Sequence, residues 1–392
     1  MSLLVATVVV LWSGQALRFP DEVAYLDLAR HLVAGEGYVN DAFMPSAYRP
    51  PGYPFWLAPW VLVPGSVLLM KLLNVALMGA ALWFMHELVR RQSPKVAWLA
   101  GAGGLAYPVW TFTVSTLYPQ PLFMTLLMGM VWLLAKQDER VSPRACVLMG
   151  GLAGLAVLAV PAFLPLSAVL GWHLFQTRRL QGRPGLPGLI HLGLGMALVI
   201  APWTLRNWLV MGAWIPVSTN GGINLAMGNN DMAGANTGTS LPISYFQAML
   251  PPYVSEPEED RIFVHFALGW MSAHPVHAAW LYVQKWLNFF NFQANLVTEQ
   301  GHSIIKDVVM AVSYYPMLAI VAVRCLWCRD VPLSRLERFF GLMYLCTSLW
   351  MALFFTRIRF RLPFDALLMT WALISVGVVA ARWQARRRTM QA

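Results

Sequence analysis

Apolar runs close to the length of a bilayer crossing recur through most of this chain, and they limit its fold more than any single motif does. A helix needs roughly 20 apolar residues to cross the hydrocarbon core. Runs that reach or approach that length centre on 2–17, 66–89, 96–115, 120–135, 145–160, 162–176, 186–205, 304–323, 339–355 and 363–381. Backbone in lipid must satisfy its own polar groups. The expected class is therefore an all-α polytopic membrane protein with about 10 transmembrane helices, nine and eleven being the neighbouring counts. Composition agrees, since 58% of the 392 residues are hydrophobic, only 12% are charged, and 18 are Trp. That profile excludes an ordinary soluble globule. The runs on either side of Pro161 are short and suit a kinked or re-entrant hairpin as well as two spans.

Charge placement gives the orientation. With the N-terminus inside, the short segments at 90–95, 136–144, 178–183, 324–338 and 382–388 face the cytoplasm. They hold 17 of the 28 basic residues, Arg140 among them. Ten others fall outside, spread over longer loops, and Lys71 lies within a span. This follows the positive-inside rule and places both termini in the cytoplasm. The net charge of +10 thus reports orientation in the bilayer, not binding to nucleic acid. Residues 2–17 lack a basic n-region and a small-residue cleavage site, so they read as a retained span. Cys325 and Cys328 form a CxxC with no second pair, which suggests neither zinc nor redox chemistry.

Two long segments face outward, 18–65 and 206–303. No internal repeat is apparent, which counts against transporters built from duplicated halves. Within the second loop, 218–240 is rich in Gly and Asn, residues that favour tight turns. EPEED at 256–260 suits a helix start. The aromatic stretch 262–292, with Trp270, Trp280, Trp286 and Phe289, is mixed with polar residues and reads as interfacial. His265, His274, His277 and His302 match no zinc spacing.

RFPDEVAY at 18–25 sets two acids just beyond the first run. Pro20 suits the first turn of a helix that continues to Gly35. On a helical wheel Asp21 and Glu22 share the side of Tyr25, Leu26, Leu28, Ala29, Leu32 and Val33, while Asp27, Arg30 and His31 face water. Desolvation and mutual repulsion would raise the pKa of such a pair and suit a general base. Capping of the helix by Asp21 is the other reading of the same residues.

Three segments resemble the GT-C superfamily of membrane glycosyltransferases, in particular the bacterial protein O-mannosyltransferase-like group that includes aminoarabinose transferases. They are DEVAYLDLARHLVAGEGY at 21–38 with SAYRPPGYPFWLA at 46–58, APWTLRNWLVMGAWIPVSTNGGINLAMGNN at 201–230, and RIRFRLPFDALL at 357–368. The resemblance implies that residues 1–392 form a single GT-C-like membrane domain in the bacterial cytoplasmic membrane. It implies a polyprenyl-phosphate sugar donor, transfer with inversion on the extracytoplasmic face, and an acceptor left open among protein, lipid and glycan. The acid after the first span maps onto Asp21, with Glu22 beside it, as catalytic base or acceptor-orienting group. Many relatives carry another acid near the start of the fourth span, where this chain has Gln120 in LYPQPLF. That departure tells against a two-carboxylate or metal-bridged mechanism; no metal ligand is assigned, and a divalent ion remains an open cofactor.

Departing phosphate needs positive charge, for which Arg49, Lys71, Arg206, Arg357, Arg359 and Arg361 are the candidates. Lys71 suits snorkelling equally well, and the arginines at 357–361 suit anchoring to headgroups. RPPGYP at 49–54 has a stiff backbone able to hold Arg49 and Tyr53. Tyr25, Tyr53, Asn220, Asn224, Asn229 and Asn230 are the candidate sugar pocket, with turn formation the plainer role for the asparagines. A transporter or flippase of lipid-linked sugars is the rival class. It should place ionisable groups at mid-membrane, where this sequence is expected to have almost none.

Overall fold

The computed structural model describes residues 1–136, 141–293 and 304–391, so Arg140 and His302 lie outside the described residues. In chain order the helices are α1 (Ser2–Ser13), α2 (Pro20–Val33), α3 (Gly52–Leu57), α4 (Ser66–Gln92), α5 (Gly103–Ala106) and α6 (Pro108–Val114). Then come α7 (Gln120–Lys136), α8 (Pro143–Ala159), α9 (Phe163–Leu180), α10 (Leu186–Met211), α11 (Gly221–Gly228) and α12 (Ile243–Gln247). The last five are α13 (Glu256–Ala273), α14 (Pro275–Phe289), α15 (Ile304–Trp327), α16 (Arg335–Met351) and α17 (Ile358–Gln391). Among the described residues the only β-type pairing is one isolated bridge, Val39 with Pro45. Helices α4, α10, α15 and α17 are long and apolar enough to cross a membrane, and α1, α7 and α8 are shorter apolar helices. The chain is a polytopic all-α membrane protein.

Each of the ten apolar runs is helical, but two differ from expectation. The run 2–17 stops being helical at Ser13, because Gly14 turns the backbone to a φ of 51°. The run 96–115 is not one helix. It is a 3-10 stretch, Pro94–Ala102, followed by α5 and α6. Pro108 supplies no backbone N–H for a continuing helix, and the chain breaks at Tyr107 just before it. On either side of Pro161 stand two separate helices, α8 and α9.

Helices α8 and α10 cross with their backbones almost in contact. A Cβ on Gly150 would lie 2.1 Å from the carbonyl oxygen of Leu192, and one on Gly195 would lie 2.2 Å from that of Val147. Small residues permit this approach, and in lipid such packing replaces the hydrophobic drive available in water.

Two buried ion pairs also lie within the bundle, near helix ends. Arg361 and Asp365, both fully buried on α17, pair at 3.2 Å. Asp365 also accepts from the hydroxyls of Tyr107 (2.6 Å) and Tyr344 (2.7 Å). Arg361 donates onward to the carbonyls of Phe289 and Asn291. Arg324 and Glu337 form a second buried pair at 2.8 Å, tying α15 to α16. Removing one member of such a pair leaves an uncompensated charge at a cost of roughly 3–5 kcal/mol.

The tight crossing predicts that Gly150→Ala destabilises the protein by about 1–3 kcal/mol through overpacking. Gly151→Ala should be silent, since its Cβ would meet nothing nearer than Val199 at 3.9 Å. Thermal unfolding of both variants in detergent checks this; equal midpoints would refute the close contact.

Candidate active site around Asp21

Helix α2 is fixed by its second acid. One oxygen of Glu22 accepts from the backbone N–H of Arg18 (2.9 Å) and of Phe19 (3.1 Å), closing the first turn. The other accepts from the N–H of Leu117 at 2.8 Å, tying α2 to the segment before α7. Glu22 is 0% exposed. The helix face below Asp21 rests on a small apolar cluster that includes Tyr53, Leu57, Met70 and Leu117. Tyr25 meets Tyr53 edge-on at 5.4 Å and Tyr118 at 6.4 Å. Asp27 and Arg30 pair with each other on the solvent side, as the wheel implies.

Asp21, one residue before Glu22, stays partly exposed and faces two arginines instead. Arg49 Nη2 donates to its Oδ1 at 2.6 Å, and Arg359 Nη1 donates to its Oδ2 at 2.8 Å. The Tyr118 hydroxyl donates to Oδ2 at 3.3 Å. Burial pushes that hydroxyl's pKa up, so it holds its proton at neutral pH. Both guanidiniums lie over aromatic rings: Arg49 over Tyr25 and Tyr48, and Arg359 over Tyr118 at 4.7 Å. Arg357 is close enough to add its field to those of Arg359 and Asp21. The Nε of Arg359 is buried and finds no acceptor among the described residues. The three side chains in the ion pairs remain about a quarter to a third open to solvent.

The pKa expected for Asp21 is reversed here. Burial alone would raise it, but Arg49 and Arg359 outweigh burial and hold the carboxyl below its ordinary value. The expectation failed because Glu22, taken up by backbone N–H groups, does not face Asp21 as a second free anion, whereas two cations from distant segments do.

Each arginine is delivered by a braced segment. Glu256, at the start of α13, accepts from Ser46 Oγ and from the Ala47 N–H, both at 2.7 Å, and from Thr219 Oγ1 at 2.6 Å. Arg206 donates to the carbonyls of Ser46 (2.8 Å) and Tyr38 (2.7 Å), and the Tyr38 hydroxyl to that of Arg49 (2.9 Å). Beyond the two prolines, Gly52 lies against the end of α8, where a Cβ would be 2.7 Å from the Ala159 nitrogen. Arg359 is carried in the first turn of α17, reached through 353–356. There the fully buried Lys285 donates to the carbonyls of Gly228 and Phe354, both at 2.9 Å, and to Asn229 Oδ1 at 3.0 Å. Burial lowers the Lys285 pKa to about 7.

Of the residues singled out in the sequence, Asp21, Arg49, Arg359 and Tyr25 come together, with Arg357 nearby and Tyr53 behind Tyr25. The others have different partners. Lys71 neither snorkels nor pairs with Asp21; it is fully buried and donates to Gly14 O (3.1 Å) and Ala16 O (2.7 Å) beyond the end of α1. Arg206 is a backbone clamp, and Arg361 belongs to the buried Asp365 pair. The RIRFR segment is mostly helical rather than extended, so Arg359 and Arg361 diverge by roughly 200° around α17. Asn220 accepts from Ser218, and the Asn229 and Asn230 amides bond main-chain carbonyls at the end of α11. Asn224 is half-buried within α11. Tyr118 and Lys285 were missed: LYPQPLF drew notice only for Gln120, and nothing in the local sequence sets Lys285 apart. Gln120 is buried, with Oε1 lacking a donor among the described residues.

Among the described residues no three His, Cys, Asp or Glu side chains gather as a metal set. A single carboxylate facing arginines is a poor donor set for a divalent cation. The cluster is suited to an anion.

No family model and no curated protein matches the chain. A solved structure that does match is the crystal structure of ArnT from Cupriavidus metallidurans bound to undecaprenyl phosphate. Its TM-score is 0.43 at 17% identity, over 97% of this chain and 77% of that one. The ion pairs themselves predict a pH signature. A depressed carboxyl contributes stability that is present above the unfolded pKa of about 3.9 and is lost as pH falls through the folded value. Between about pH 5 and pH 3 the wild type should therefore lose more thermal stability than Asp21→Asn, measured by fluorescence in detergent; parallel losses would mean that Asp21 is not paired.

Proposed function

We propose that this chain is an inverting glycosyltransferase that takes a sugar from a polyprenyl-phosphate donor at the extracytoplasmic surface of a bacterial cytoplasmic membrane. The observation that carries the reading is the Asp21 carboxylate held between Arg49 and Arg359, all three partly open to solvent. Two of the three sequence segments that resemble GT-C enzymes support it directly, the first supplying Asp21 and Arg49 and the last Arg359. Sidedness rests on the basic segments at the far ends of α4, α9 and α17.

In the proposed step an acceptor hydroxyl attacks the anomeric carbon of the donor. Its oxygen forms the new glycosidic bond while the bond from that carbon to the phosphate oxygen breaks. The electron pair leaves with the polyprenyl phosphate, and the hydroxyl proton passes to Asp21. The leaving phosphate gains negative charge as the bond breaks, so the arginines act most strongly in the transition state. Arg359 and Arg357 are the phosphate-facing groups. Arg49, held between two tyrosine rings, orients Asp21. Glu22 is an anchor that fixes α2, and Lys71, Arg206 and Arg361 act only by holding the framework.

Asp21→Asn should remain folded in membranes and lose at least about 100-fold in turnover, the usual scale for removing a general base. The assay reconstitutes the purified protein with a panel of polyprenyl-phosphate sugars and follows loss of each donor. Full activity in Asp21→Asn would remove Asp21 from the mechanism. Passage of intact donors across vesicles without turnover would replace the enzyme with a flippase.

A further inference from the structure

We infer that Asp21 doubles as an internal stand-in for the substrate phosphate, occupying the anion seat of Arg359 until a phosphate group displaces it. The inference rests on the proposed lipid-phosphate donor and concerns how that site is regulated. Arg359 donates from Nη1 to Asp21, and its buried Nε–H has no acceptor among the described residues. A guanidinium held by one carboxylate oxygen is only half used. Phosphate offers oxygens in the fork geometry that engages two N–H groups at once. Arg49 differs, since it has no buried N–H without an acceptor among the described residues, and it stays on Asp21 Oδ1.

Charge points the same way. One carboxylate faces Arg49 and Arg359, with Arg357 adding to the same field, so these side chains together carry surplus positive charge. An arriving phosphate reduces that surplus and takes Arg359 from Asp21. The carboxylate then keeps Arg49 and the Tyr118 hydroxyl, loses its stronger contact on Oδ2, and becomes a better proton acceptor. The site is thus a poor base when empty and a competent one when a phosphate is bound. The same exchange would restrain Asp21 from assisting attack by water when no donor is present.

The test is binding, not turnover. Farnesyl phosphate, inorganic phosphate and farnesol are titrated by calorimetry into the full-length protein in detergent. If Asp21 competes for Arg359, Asp21→Asn should bind farnesyl phosphate at least fivefold more tightly than wild type. Tyr118→Phe, which loosens Asp21 without changing charge, should tighten it by about twofold, and Arg359→Gln should weaken it in either background. Equal or weaker binding by folded Asp21→Asn, together with no tightening in Tyr118→Phe, would overturn the exchange. Tightening toward inorganic phosphate but not farnesyl phosphate would uphold the exchange while removing the lipid donor. Tightening toward farnesol alone would overturn it, because the gain would then owe nothing to the anion.

Discussion

Glu22 gives its carboxylate to three main-chain N–H groups, and the geometry of the candidate site depends on that arrangement. Two of the donors lie at the start of α2 and the third at Leu117, so one buried side chain sets both the entry angle of the helix and its contact with the segment before α7. The adjacent residue cannot do the same, because successive side chains on a helix diverge by about 100°. Asp21 is thereby turned toward Tyr118, Arg49 and Arg359. An acidic pair that looked like two equivalent charges is one buried anchor and one partly exposed carboxylate held by arginines.

Buried cations follow a common rule. Lys71, Lys285, Arg206 and Arg361 each donate to main-chain carbonyls near the ends of helices or in adjoining loops. Those carbonyls lack intrahelical partners, and in an apolar setting they bind a cation well. A lysine or arginine near the end of a membrane helix therefore has two physical uses, to hold a ligand or to close the backbone. Local sequence alone does not tell them apart. Three of the six basic residues first assigned to phosphate, Lys71, Arg206 and Arg361, close the backbone instead.

The helical architecture was legible because apolar length is a local property, and so was the orientation of α2, whose wheel separates Tyr25, Leu26 and Ala29 from Asp27 and Arg30. Gly14 and Pro108 carried the signals for the two interruptions, but their effect depends on what surrounds them. The site was legible only in part. Asp21 and Arg49 are separated by 28 positions, and Asp21 and Arg359 by 338, so their ion pairs could not be read from spacing. The pKa expectation failed for that reason: it used the nearest charge in sequence, Glu22, where the nearest charges in space are cations. Tyr118 could have been noticed, since an aromatic hydroxyl beside two prolines at the start of a span is well placed to line an opening.

A carboxylate fixed between guanidiniums is at first sight a weak candidate for a base, because the cations that keep it ionised also hold its lone pairs. The difficulty eases if the cations are shared. In the proposed transfer, breaking the bond to phosphate would create negative charge beside the arginines at the moment when Asp21, by accepting a proton, gives its own charge up. The guanidiniums then see nearly the same total charge before and after transfer, and the arginine network needs little reorganisation between the two states. A site built this way gains little from a second carboxylate near α7, which would compete for the same arginines. Gln120 in place of an acid at the start of α7 is consistent with that economy, since an uncharged side chain leaves the exchange between Asp21 and phosphate undisturbed.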